Sequence, residues 1–293
     1  PHKFIDHTHA DAIVTLTNMA QPEDRLREVL GDKIGILPWI MPGFPLSKKV
    51  AELYEAQPDI EAIILLNHGI FTFAETGELA YSRMIHYVTL AEEYISSLQP
   101  DTAAVVDAEN KTVSADVLLP LLRGALSIEE ADSCRPFHLK LRQSKDILHC
   151  LGEDGARQRY ENGVLTPDHV IRTKNYPLWL DIQAHDEESI GLLIQSELAA
   201  YESAYQDYFS QQVADKGVER ICLDCKPRVI LVPGLGIITA GVTEKAAMIA
   251  GDIAEHTLLA KHRGSSVGAY QELAQSHIFD MEYWSLEQVK LGK

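Results

Sequence analysis

Residues 63–80 read IILLNHGIFTFAETGELA, and this stretch decides the fold. It continues an apolar run that begins at Ile60 (IEAIILLNHGIF, 60–71), the pattern of a strand buried on both faces. The run ends in His68-Gly69, where a glycine lets the chain turn sharply. A long helix is predicted from about Thr76 to Leu98, because Ile85, Val88, Ala91, Ile95 and Leu98 recur at three and four residues. Upstream, residues 3–18 open with a strand and a polar turn, and residues 18–31 hold a helix with Pro22 in its first turn. Residues 34–45 are a short strand and a Pro/Gly-rich loop, and residues 46–59 place Val50, Leu53 and Tyr54 on one side of a helix. Strands alternating with helices define a layered α/β fold.

The same pattern returns in VILVPGLGIITAGVTEKAA (229–247): strand, glycine, apolar pair, threonine, helix. Aligning Gly69 with Gly236 matches Thr72 to Thr239 and Thr76 to Thr243, the last two as helix N-caps, and puts Leu235 at the place of His68. Upstream, VLTPDHVIRTK (164–174) is set against KFIDHTHADA (3–12), so that Asp168-His169-x-Ile171 answers Asp6-His7-x-His9. The second half is then a degenerate copy of the first, keeping the scaffold and losing two of three histidines. The glycines of VPGLGIITAG (232–241) also invite a phosphate-cradling reading, but their spacing is not G-x-G-x-x-G and no acidic residue ends a following strand. The cluster TPDHVIRTK (166–174) carries Asp168, His169, Arg172 and Lys174, which can hold an anion or simply form a solvated turn.

In FIDHTHADA (4–12), His7 and His9 stand two residues apart. On a strand such residues share a face, and Thr8 points away. If His68 ends a neighbouring strand, three imidazoles converge, the donor set of a catalytic zinc with one position open. Spacing alone leaves open a hydrogen-bonded turn at His68 and a chance His-x-His.

The net charge of −17 excludes a nucleic-acid partner that would need a basic surface. No apolar stretch approaches a membrane span, so a cytoplasmic protein without a membrane partner is expected. Four cysteines make no disulfide framework. Cys222 and Cys225 form a C-x-x-C that enters a strand rather than a helix, so buried cysteine in a reducing compartment is expected, as for the isolated Cys134 and Cys150.

HTHADA (7–12), together with ILLNHGIFTFAETGELAYSRMIHYVTLAEEY (64–94), whose His68 stands 59 residues after His9, resembles the class II aldolase/adducin family. The wording HKFIDHTHADA (2–12) and the terminal HIFDMEYWSLEQVKLGK (277–293) resemble most the bifunctional branch, in which a rhamnulose-1-phosphate aldolase region precedes an alcohol dehydrogenase. The resemblance implies a class II aldolase-like α/β/α domain over residues 1–115 and a linker over 271–293 toward a covalently linked dehydrogenase domain, and the repeat gives the second, degenerate lobe as 133–270. It implies that His7, His9 and His68 hold Zn2+, that the substrate is a sugar phosphate, and that copies assemble as a homo-oligomer. The implied reaction is C–C cleavage of L-rhamnulose 1-phosphate to dihydroxyacetone phosphate and L-lactaldehyde. Sugar-phosphate epimerases and the non-catalytic, structural adducins share the family. The family's catalytic glutamate and phosphate loop precede the His-x-His by tens of residues. Only six residues precede His7 here, so the chain is expected to lack both, and no internal glutamate takes the acid/base role from sequence.

Overall fold

The computed structural model describes residues 2–99, 113–130, 133–183 and 186–291. Residues 100–112, at the end of the expected first domain, and 292–293, at the end of the expected linker, lie outside them. The chain divides into two units. The first comprises Pro1–Thr102, Leu165–Pro167 and Ala260–Met281, and the second Ala103–Val164, Asp168–Leu259 and Glu282–Lys293.

The first unit begins with β1 (Phe4–Thr8), α1 (Asp11–Thr17), α2 (Pro22–Leu30), β2 (Ile34–Leu37) and α3 (Phe44–Ala56). It continues with β3 (Ala62–Leu65), β4 (Gly69–Ala74) and α4 (Gly77–Ser97). The sheet order is β1-β4-β3-β2, with β1 and β3 antiparallel to β4 and β2 parallel to β3. The apolar run is therefore two strands of one hairpin. Its turn lies at Leu66–His68, with Asn67 in the left-handed region at φ 57°. Gly69 is the first residue of the returning strand, and its glycine serves a close approach: a Cβ there would overlap the carbonyl oxygen of Thr8.

Alternation sends Ile63, Leu65 and Phe73 to one face, where Leu46 of α3 closes the core. Ala62, Ile64 and Ile70 face the other side, against α1, α2 and α4. This is the expected α/β/α layering. The buried stripe of α4 is Ala80, Met84, Tyr87, Ala91 and Ile95, and the expected Ile85 and Leu98 are exposed. Helix α1, entirely buried after Asp11, replaces the expected polar turn, because Ala12, Ile13 and Leu16 pack in the core of the sheet and Val14 packs on Leu165 and Ala260.

The second unit runs α5 (Ala115–Leu126), β5 (Ile128–Glu130), β6 (Ser133–Arg135), β7 (His138–Arg142), α6 (Lys145–Gly152), α7 (Ala156–Tyr160), α8 (Val170–Thr173) and β8 (Leu178–Trp179). Then come α9 (Glu187–Lys216), β9 (Val229–Val232), β10 (Gly236–Gly241) and α10 (Glu244–Gly264), whose last turn belongs to the first unit. Its main sheet has order β7-β10-β9-β8, with β7 and β9 antiparallel to β10 and β8 parallel to β9. The topology matches the first unit strand for strand. A constant offset of 167 residues (Gly69 to Gly236) carries Asn67 onto Gly234, which is also left-handed at φ 73°. It carries the 21-residue α4 onto the 21-residue α10. Thr72 Oγ1 donates to Ala80 O at 2.9 Å, and Thr239 Oγ1 to Ala247 O at 2.8 Å. Thr76 and Thr243 accept from Leu79 N and Ala246 N as the two N-caps.

Two expectations are corrected. The counterpart of β1 is β7, not residues 164–174, which form a 3-10 turn (Pro167–His169) and α8. Sheet register then matches His7, His9 and His68 to Leu141, Gln143 and Leu235, so none of the three histidines survives in the second unit. Residues 271–293 are also not a bare linker. They fold as α11 (Gln275–Glu282) and α12 (Ser285–Gln288), with Ile278, Phe279 and Met281 buried. Of the cysteines only Cys150 is buried. Cys222 and Cys225 are half-buried, and Cys134 is exposed.

Candidate metal centre

β1 is an edge strand that pairs with β4 through Thr8 and Ile70, and its end is drawn against the β3–β4 turn because Gly69 has no side chain. That contact brings the histidine pair beside His68. Their ring centroids stand 5.0 Å (His7–His9), 5.1 Å (His7–His68) and 4.7 Å (His9–His68) apart. One nitrogen of each lies within 4.8 Å of the other two. The Nε2 atoms of His7 and His9 are 3.1 Å apart. Donors at the zinc–imidazole distance of about 2.1 Å on a tetrahedron stand about 3.4 Å from one another, so the donor set fits a small divalent ion.

The surroundings prepare the rings. His7 Nδ1 lies 3.0 Å from Ile70 O, and a carbonyl only accepts, so Nδ1 carries the proton and Nε2 keeps its lone pair toward His9. The His7 ring stacks on Phe71 at 4.3 Å, and Trp39 stands 5.6 Å from His68. His68 is buried, His9 half-buried and His7 exposed, which leaves one side open to a ligand. Sequence reasoning missed what holds the turn. Asn67 Nδ2 donates to Asn18 Oδ1 at 2.6 Å, and Asn18 Nδ2 donates to Val14 O and Leu165 O. A lone asparagine at the end of α1 gives no sign that its partner lies 49 residues on.

In the second unit the equivalent corner holds no such donors. Leu141 and Leu235 pack in the core, and Gln143 Nε2 donates to Leu235 O at 2.8 Å. Burial and the neighbouring Cys225 push the Cys222 thiol up to about 11, away from a reactive thiolate.

The layered α/β sheet presents three imidazoles that could hold a metal ion, and the two halves of the chain are recognised separately. Residues 1–95 match the Class II Aldolase and Adducin N-terminal domain, and residues 113–291 match the second domain of class II aldolases. The chain belongs to the class II aldolase/adducin family. It is 28% identical over 305 residues to the uncharacterized oxidoreductase YuxG of Bacillus subtilis (strain 168), a match covering 99% of this chain and 42% of that protein. It is also similar to the N-terminal class II aldolase domain of a conserved protein from Thermoplasma acidophilum. That match is 42% identical, covers 32% of this chain and 43% of that one, and has a TM-score of 0.30. Among the described residues no helix is long and apolar enough to cross a membrane.

Proposed function

We propose that this chain is the aldol-cleaving region of a sugar-phosphate lyase, in which His7, His9 and His68 hold a zinc ion. The convergence of three imidazoles beside an open face carries this reading. Bound there, the ion acts as a Lewis acid on the ketone and adjacent hydroxyl of a ketose 1-phosphate. The chain's own residues prepare that chemistry. Ile70 O fixes the His7 tautomer, the Asn18–Asn67 hydrogen bond fixes the turn that carries His68, and Trp39 and Phe71 wall the rings. The exposed edge of His7 is the approach for substrate.

The substrate in this reading is L-rhamnulose 1-phosphate, and the products are dihydroxyacetone phosphate and L-lactaldehyde. The resemblance of residues 2–12 and 277–293 to the bifunctional branch supports this choice. So does a relative whose printed name is an oxidoreductase and of which this chain spans 42%, as expected if the intact protein joins an aldolase region to a dehydrogenase. The same reading includes assembly of copies into a homo-oligomer, which light scattering tests.

Protein prepared without chelator should contain one equivalent of zinc by elemental analysis. The intact protein, with the acid/base group that the resemblance places upstream of His7, should release dihydroxyacetone phosphate from L-rhamnulose 1-phosphate, lose that activity on chelation and regain it with zinc, whereas residues 1–293 alone should show little or none. An isomeric sugar phosphate in place of dihydroxyacetone phosphate would assign epimerisation instead, and protein without stoichiometric metal would overturn the metal reading.

A further inference from the structure

The second unit encloses a cavity of about 220 Å3 where Ala240, Gly241 and Val242 of β10 lead into the first turn of α10. This is below the roughly 300–1,000 Å3 of pockets for drug-sized ligands, and so suits a compound of few heavy atoms. Four cations line it, Arg135, Arg172, Lys174 and Arg228, against two carboxylates, Asp224 and Glu282. A local surplus of two positive charges in a chain of net charge −17 runs against the composition.

The charges are not equivalent. Lys174 is buried, donates from Nζ to Glu282 Oε1 at 3.4 Å and lies 3.8 Å over the Tyr205 ring. Its backbone is held at φ 63°, a conformation a lysine adopts only under constraint. Arg228 donates from Nη2 to both Asp224 oxygens, at 2.8 and 2.6 Å, and lies 4.8 Å over Phe137. These two pairs build the wall. Arg172 is half-buried on the same cavity, and among the described residues it has no hydrogen bond or ion pair. A guanidinium stays charged at every relevant pH, so partial burial without a counter-charge is costly unless an anion completes the site.

The internal repeat shows what was changed to make this space. At the equivalent place in the first unit, Phe73 stands where Ala240 does, Ala74 where Gly241 does and Glu75 where Val242 does. There the corner is full, with Phe73 buried and stacked on His2 at 5.0 Å, and His2 3.1 Å from Glu75. The second unit has lost a phenyl ring and a negative charge at one point and gathered cations around it.

We propose that this cavity is a binding site for a small organic phosphate, with Arg172 as its principal contact. A phosphate monoester carries about −1.5 to −2 at neutral pH, matching the surplus, and the guanidinium fork suits its oxygens. Val170, Leu223 and Val242 offer apolar contact to the carbon portion. The site is independent of the metal centre and requires no metal.

Calorimetric titration of the whole protein with glycerol 3-phosphate, inorganic phosphate and malonate tests it. Glycerol 3-phosphate should bind saturably and more tightly than inorganic phosphate. R172A should weaken it at least tenfold and R172K by less, since lysine keeps the charge and loses the fork. H68A, which dismantles the metal centre, should leave one such site intact. Circular dichroism and the melting midpoint verify folding, and R135A replaces R172A if the latter does not fold. Absence of saturable binding, or a site lost in H68A but kept in both arginine variants, would overturn the proposal. Malonate binding more tightly than either phosphate, or inorganic phosphate matching glycerol 3-phosphate, would overturn the ligand class.

Discussion

The two sheets of this chain use one blueprint for different ends. Strand order, pairing sense, the left-handed residue of the central hairpin, the close-approach glycine, the buried threonine and the N-cap coincide at one offset. At the hairpin turn the first sheet presents His7, His9 and His68, and the second puts Leu141, Gln143 and Leu235 in their places. Burying a leucine stabilises by about 1.5–3 kcal/mol, whereas a buried imidazole must be compensated by hydrogen bonds or a metal. The second unit thus has packing where the first has imidazoles, and gathers its basic residues at the opposite end of β10. The shared features are those that hold the backbone.

Removing an imidazole should break the comparison most strongly. H68A should reduce bound metal from one equivalent to a small fraction and, in the intact protein, cut aldol cleavage about a thousandfold, on the order of a lost Lewis acid's several kcal/mol. L235A at the matching position should leave metal content unchanged, with elemental analysis as the readout for both. Next come the two glycines. A Cβ at Gly69 overlaps Thr8 O, and one at Gly236 overlaps Arg142 O. G69A and G236A should each cost about 3 kcal/mol in denaturant unfolding, a typical upper value for overpacking. Only G69A should also weaken metal binding.

A smaller difference separates α4 from α10 near their ends, where Tyr94 corresponds to Lys261. Lys261 is buried, and that burial pulls its ammonium from the ordinary 10.5 down to about 7. Between those two values the unfolded chain binds the proton and the folded chain does not, so stability rises with pH across that window. Below about pH 7 both states are protonated and the full cost of the buried charge is felt. Unfolding midpoints should show a gain of about 2 kcal/mol between neutral pH and two units above it, at about 1.4 kcal/mol per unit, and K261M should abolish the slope. Least in size and equal in both units, T76A and T243A should each cost about 1 kcal/mol in the same unfolding assay, since each removes one N-cap hydrogen bond.

Much of this was legible in one dimension. The run at 60–71, the helix at 77–97 and its return at 244–264 carry local periodicity, and the Gly69–Gly236 alignment needs only residue order. The stripe of α4 was misread by one residue because Ile85 and Leu98 look apolar enough to be core, and only the sheet decides which side is covered. α1 was missed because a short helix buried all round shows no amphipathic period. Arg135 and Arg228 line one cavity with Arg172 and Lys174 although they are distant from residues 166–174 in sequence, so no local pattern joins them.

The sequence by itself determined the alternation of strands and helices, the shared face of His7 and His9, and the duplication, because side-chain period and turn chemistry are properties of neighbouring residues. Only the tertiary structure decided which strand β1 joins and which segment is its counterpart. Strand pairing links residues more than sixty positions apart, and HLKLR (138–142), a partly exposed edge strand, carries no local mark of the partner it shares with β1 in the repeat. The convergence of the three imidazoles rests on that pairing and on one close backbone approach at Gly69, neither of which a local pattern encodes.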